Sequence, residues 1–176
     1  MNRLGTIART DDGGYILHYE RMVDRPAAKV WAALTDPALT PNWIGELEAE
    51  LRIGGKFVIR FKDGKTVMTG VIRALEPGRL IQYTWLENHG MPASLVRWSV
   101  LPIDEGSCQL TLTHVLPRGC RAEDVISFAG GWHAFLDAIP KAANGEDASE
   151  AAYDEAAWKP VEAMYTEIFE AAVASP

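Results

Sequence analysis

A chain of 176 residues with 48% hydrophobic content is long enough to close one sizeable core, and its formal charge of −7 is unevenly placed. Residues 146 to 176 carry eight carboxylates against Lys159 alone, while the first 145 residues are balanced at 16 acidic and 16 basic side chains. No basic patch invites a phosphate backbone, which argues against nucleic-acid binding, and no long apolar run supports a signal peptide or a membrane span. Cys108 and Cys120 lie in no CxxC pair, so neither a zinc site nor a disulfide framework is expected; a reduced, cytoplasmic protein is the simplest reading.

In chain order, "LGTIARTDDGGYILHYERMV" places two β-compatible runs on either side of Asp11-Asp12-Gly13-Gly14, a composition that tolerates positive φ and suits a hairpin. "DRPAAKVWAALTDP" predicts a short amphipathic helix, with Asp24 as N-cap, Pro26 in the first turn, and Ala27, Val30, Trp31 and Leu34 on one stripe. "ALTPNWIG" reads as a further turn or short helix anchored by Trp43. From residue 46 the period becomes two: Glu46, Glu48, Glu50 and Arg52 alternate with Leu47, Ala49, Leu51 and Ile53, which predicts a half-buried strand. Gly54-Gly55 turns the chain into "KFVIRF", and four more runs follow, separated by short Gly-containing linkers, as in an antiparallel meander.

The period then returns to 3.6. Val125, Phe128, Ala129, Trp132, Phe135, Leu136 and Ile139 form one stripe and predict a helix over about 121 to 143, roughly 34 Å long and able to lie across a whole sheet. The order predicts an α+β domain over residues 1 to 145, a curved sheet gripping its last helix. Residues 146 to 176 predict an acidic helical extension, in which Trp158, Val161, Tyr165, Ile168 and Ala172 share a side and Pro160 starts or kinks a turn. That apolar face either caps its own domain or pairs with a second copy in a homodimer.

These residues are similar to a known family. "RPAAKVWAALTDPALTPNW", "LRIGGKFVIRF", "GVIRALEPGRLIQYTW", "CQLTLTHVLP" and "GGWHAFLDAI" resemble, in order and spacing, the SRPBCC superfamily of START-like helix-grip proteins. More narrowly they resemble the family named for activators of heat-shock-protein ATPase. The resemblance covers residues 15 to 143. It implies a seven-stranded antiparallel sheet wrapped around the long C-terminal helix, two short helices after the first strand, and a cavity between sheet and helix. Because that superfamily includes carriers, receptors, cyclases and co-chaperones, membership does not fix an activity.

Several side chains are candidates for a cavity wall: Trp43, Phe61, Trp85, Trp98, His114, Phe128 and Trp132. Trp132 projects at the centre of the helical stripe, where core packing and cavity lining differ only in whether space is left. Cys108, Leu110, Leu112 and His114 share a strand face, so alternation points His114 inward, where it either meets a ligand's polar end or is satisfied near the sheet rim. Trp85 and Trp98 fit either face of their strands. Arg60, Arg97 and Glu87 read as solvated sheet-face charges. His133 lies on the helix flank, an edge histidine. Two consecutive glycines, 130 and 131, cost helix stability and call for close approach of a backbone or ligand, or for a late start or kink.

No GxSxG, HExxH or phosphate-cradling loop is present, and the four histidines show no ligand spacing, so no catalytic residue, metal site or cofactor is assigned. The leading expectation is a noncatalytic protein that holds a small hydrophobic molecule between sheet and helix. The alternatives are a cyclase, dehydratase or hydrolase using the same cavity, and a chaperone-interaction module.

Overall fold

The structure, a computed structural model, describes residues 3–175. Eight strands form one antiparallel sheet: β1 (Thr6–Arg9), β2 (Tyr15–Val23), β3 (Gly45–Ala49), β4 (Lys56–Phe61), β5 (Val67–Glu76), β6 (Leu80–Glu87), β7 (Ser94–Pro102) and β8 (Cys108–Leu116). Their order is β1-β2-β8-β7-β6-β5-β4-β3, so the sheet is open, with β1 and β3 as its edges. Helix α1 (Ala27–Thr35) and a single 3-10 turn (Thr40–Asn42) carry the chain from β2 to the far edge. The long helix α2 (Ala122–Ala142) follows β8, and α3 (Ser149–Ala152) and α4 (Glu155–Ala174) complete the chain.

This is the helix-grip arrangement, with four corrections to the sequence reading. The sheet has eight strands rather than seven, because the Asp11–Gly14 turn joins β2 to a genuine edge strand in register Arg9 to Tyr15. The two short helical segments therefore follow the second strand. Helix α1 is entered through Pro26, with no side-chain cap, so Asp24 is not its N-cap. The third strand stops at Ala49, and Leu51 and Ile53 are 47% and 67% exposed. A period-two pattern continues past the point where a partner strand is available, and without a partner the alternation buries nothing.

The core lies between the inner sheet face and α2. Leu110 and Leu112 of β8, Trp98 of β7 and Ile81 of β6 meet Trp132, Leu136 and Ile139 of α2, all buried. Helix α2 runs unbroken through Gly130-Gly131, and its first turn carries Glu123 and Asp124 where the helix dipole favours negative charge. A Cβ on Gly130 would stand 3.1 Å from Glu162 Cγ of α4, whereas one on Gly131 would meet nothing within 4 Å. Gly130 thus admits the second helix. Gly131 opens space.

The C-terminal helices pack on the chain's own α2 and β1. Tyr165 is fully buried; its hydroxyl accepts from the Gly5 amide at 2.8 Å and pairs with His133 Nδ1 at 3.1 Å. The Tyr153 hydroxyl donates to the Ile44 carbonyl, and Trp158 Nε1 donates to the Ala152 carbonyl at 2.9 Å. Pro160 sits inside α4 and neither starts nor interrupts it. It stands in the second turn of α4, where the missing N–H forgoes one intrahelical bond.

Candidate functional site

Strand alternation brings Ile81, Tyr83, Trp85 and Glu87 of β6 to the inner face of the sheet, and the register pairs Trp85 with Ser94 and Glu87 with buried Met68. Opposite them α2 presents Phe128, Gly131, Trp132 and Phe135 on successive turns. Between these two layers, at the end of the sheet where β4 and β6 stop, is a cleft of about 510 Å³. Phe61 and Trp85 line it from the sheet, Phe128, Trp132 and Phe135 from α2, and Tyr153 and Trp158 from the C-terminal helices. The rings brace one another edge to face: Trp85 to Trp132 at 5.1 Å between centroids, Trp85 to Phe61 at 5.9 Å, and Phe135 to Tyr153 at 5.4 Å.

The seven residues singled out from sequence divide into two groups. Phe61, Trp85, Phe128 and Trp132 line the cleft. Trp43, Trp98 and His114 lie outside it, in the packed centre. Trp43 donates its indole N–H to the Ala33 carbonyl at 2.8 Å and stands edge-on to Trp98, 6.0 Å away. Trp98 donates to the Tyr83 hydroxyl at 3.0 Å. Both are inner-face residues, which resolves the choice of face for Trp85 and Trp98 alike: each belongs to the register that its buried neighbours occupy.

His114 is wholly buried, and protein groups occupy both its ring nitrogens. Trp132 Nε1, which can only donate, lies 2.9 Å from Nδ1; Nδ1 is therefore the acceptor and Nε2 carries the proton. Nε2 in turn donates to Ser94 Oγ at 2.7 Å, and the Ser94 hydroxyl points on to the Trp85 carbonyl at 3.4 Å. Burial disfavours the imidazolium and pulls His114 down to about 3. It is a neutral, single-tautomer histidine that fixes the Trp132 indole, and through it the cleft wall.

Glu87 is where the sequence reading fails. It is not a solvated sheet-face charge: it continues the Ile81-Tyr83-Trp85 face, is half-buried, and lines the cleft. Its Oε1 accepts from Trp85 Nε1 at 3.0 Å. Among the described residues no lysine or arginine pairs with it, and burial raises its carboxyl above the usual range, with Asp63 and Asp124 adding to the rise and His89 opposing it. The signal was present in the alternation from residue 81, and was hidden because Leu86 is apolar and Glu87 charged, the reverse of what inner and outer faces normally carry. Arg60 and Arg97, by contrast, are exposed as expected.

At the cleft mouth the charged side chains partner one another. Arg121 reaches Glu123 at 2.6 Å and Asp124 at 2.9 Å, and Asp63 accepts from the Lys65 and Thr66 amides. His89 Nε2 lies 2.9 Å from the Thr66 hydroxyl. Among the described residues no group of three or more His, Cys, Asp or Glu is placed to hold a metal ion, and no helix is long and apolar enough to cross a membrane.

An open antiparallel sheet closed over one long helix, with an aromatic cleft at their shared end, defines the START-like helix-grip class. Within it, residues 24–144 match the family described as Activator of Hsp90 ATPase homolog 1-like protein, and the chain belongs to that family. The fold is similar to that of CalU16 from Micromonospora echinospora, at 23% identity with a TM-score of 0.72 over 99% of this chain and 98% of that one. It is also similar to DynU16 of the dynemicin biosynthetic locus, at 24% identity and TM-score 0.68 over 82% of this chain and 51% of that one. MLL2253 from Mesorhizobium loti superposes at 26% identity and TM-score 0.61, covering 75% of this chain and 98% of its own. No curated protein gives a sequence match. The CalU16 superposition extends over the C-terminal helices, which the family match leaves out.

Proposed function

We propose that this protein binds a small hydrophobic molecule in the cleft between β4, β6 and α2, with residues 146 to 176 acting as an extension of the helix-grip domain that completes the wall. The observation that carries this reading is the cleft itself: about 510 Å³ bounded by seven aromatic side chains, within the roughly 300–1,000 Å³ typical of small-molecule sites. Rings held edge to face cannot collapse into the space without losing those contacts, and Gly131, with no Cβ, keeps one side of it clear. Phe61, Trp85, Phe128 and Trp132 are the sheet and α2 residues assigned to the ligand, joined by Phe135, Tyr153 and Trp158. His114 supports Trp132 and does not touch the ligand.

The test is direct. An environment-sensitive apolar dye should bind one site per chain and be displaced by aromatic solutes, and native mass spectrometry of protein purified without additives should reveal any co-purified molecule. If dye binding is absent, or persists undiminished when Gly131→Leu fills the cleft, the reading fails.

A further inference from the structure

We infer that the cleft selects ligands that carry a cationic amine on an aromatic or polycyclic body, with Glu87 as the counter-ion. The inference rests on the apolar-ligand reading and adds to it the chemistry of one end of the ligand.

Three observations carry it. First, Glu87 is the charged group on the same strand face as the cleft's inner wall, two residues beyond Trp85. Second, its carboxylate is half used. Oε1 accepts from the Trp85 indole, and among the described residues no lysine or arginine forms an ion pair with the group. A carboxylate brought partly out of water without a positive partner is an unbalanced cost, which a bound cation offsets. Third, the walls are aromatic. The faces of Trp and Tyr rings attract a cation, Trp most strongly, and Trp85, Trp132, Tyr153 and Trp158 surround the space that Glu87 borders.

The lining charges agree. Asp63, Glu87, Asp124 and Glu155 face the cleft against Lys65 and Arg121, and Arg121 is already held by Glu123 and Asp124. The cleft is therefore net negative, with four lining carboxylates against Lys65, Arg121 and the imidazole of His89.

Three matched probes test this at neutral pH: 2-(2-naphthyl)ethylamine, its alcohol analogue 2-(2-naphthyl)ethanol, and 2-naphthylacetate. Binding is followed by ¹H–¹⁵N spectra, in which the Trp85 indole N–H reports on the Glu87 bond. The amine should bind about tenfold more tightly than the alcohol, the carboxylate most weakly, and the Trp85 indole signal should move most with the amine. In Glu87→Gln, whose amide oxygen can still accept from Trp85, the amine should fall to within about threefold of the alcohol while alcohol affinity holds. An amine no tighter than the alcohol in the unaltered protein, or an advantage that survives Glu87→Gln, overturns the inference and leaves the apolar-ligand reading standing. Failure of all three probes to bind removes both.

Discussion

Two regions flank the same tryptophan and differ in how their polar atoms are satisfied. On the sheet side of Trp132, His114 has each ring nitrogen committed to a protein partner, and Trp43, Trp98 and Tyr83 fill the surrounding space. Toward the mouth, Glu87 commits one carboxylate oxygen to Trp85 and borders open volume. Both polar groups are anchored to an indole on an inner face. What separates them is the saturation of hydrogen bonds: a buried group with every partner inside the protein belongs to the fold, and one with capacity left over can serve a ligand. From residue type alone His114 is the more attractive functional candidate, and the geometry reverses that ranking.

The sealed side can be broken most strongly with acid. Unfolded histidine takes up a proton as pH falls below about 6.5, whereas His114 in the folded protein resists until about 3, so the unfolded state binds more protons across that window and stability falls with pH. The contribution is fully present above about 6.5 and is lost at about 1.4 kcal/mol per pH unit below it, on the order of 4–5 kcal/mol in all. Urea unfolding at a series of pH values should show a steeper loss of stability in the unaltered protein than in His114→Gln, which can keep both hydrogen bonds without titrating, the difference between the two being the His114 contribution. Equal slopes would mean that His114 is not the neutral, enclosed group described.

A smaller effect divides the two regions at Trp132 itself. Trp132→Phe keeps a ring on the cleft but removes the donor to His114 Nδ1, leaving a buried acceptor unpaired; a loss of about 1–3 kcal/mol is expected in the urea midpoint, with dye binding retained. Loss of dye binding with unchanged stability would place the indole in the cleft and not in the core.

The glycine pair gives the finest comparison. Gly131→Ala should stabilise the protein by about 0.5–1 kcal/mol, since the helix gains propensity and the new methyl meets nothing. Gly130→Ala should gain less, because Glu162 Cγ must yield from 3.1 Å. Thermal unfolding of the two variants checks the order; a Gly130→Ala gain as large as that of Gly131→Ala would mean that α4 does not lie close against α2.

Periodicity was sufficient for the elements. The long stripe from Val125 to Ile139 is the buried face of α2, and the inward set Cys108, Leu110, Leu112, His114 is the buried face of β8. Local pattern set these because the 3.6 and 2.0 repeats are backbone geometry, present before any tertiary contact forms. Pattern and pairing part company at Leu51 and Ile53, which alternate but have no partner strand, and at Asp24, which has the chemistry of a cap but stands two residues before the cap position, Pro26.

What the sequence by itself determined is the order of elements, the gripped helix and the aromatic supply between helix and sheet. The tertiary structure alone decided which aromatics pack and which leave room, that Tyr153 and Trp158 fold back onto the cleft, and that Glu87 faces inward without a lysine or arginine partner among the described residues. The physical reason is range. A hydrophobic repeat is a property of neighbours along the chain, whereas empty volume and unspent hydrogen-bonding capacity exist only once elements distant in sequence have been placed side by side.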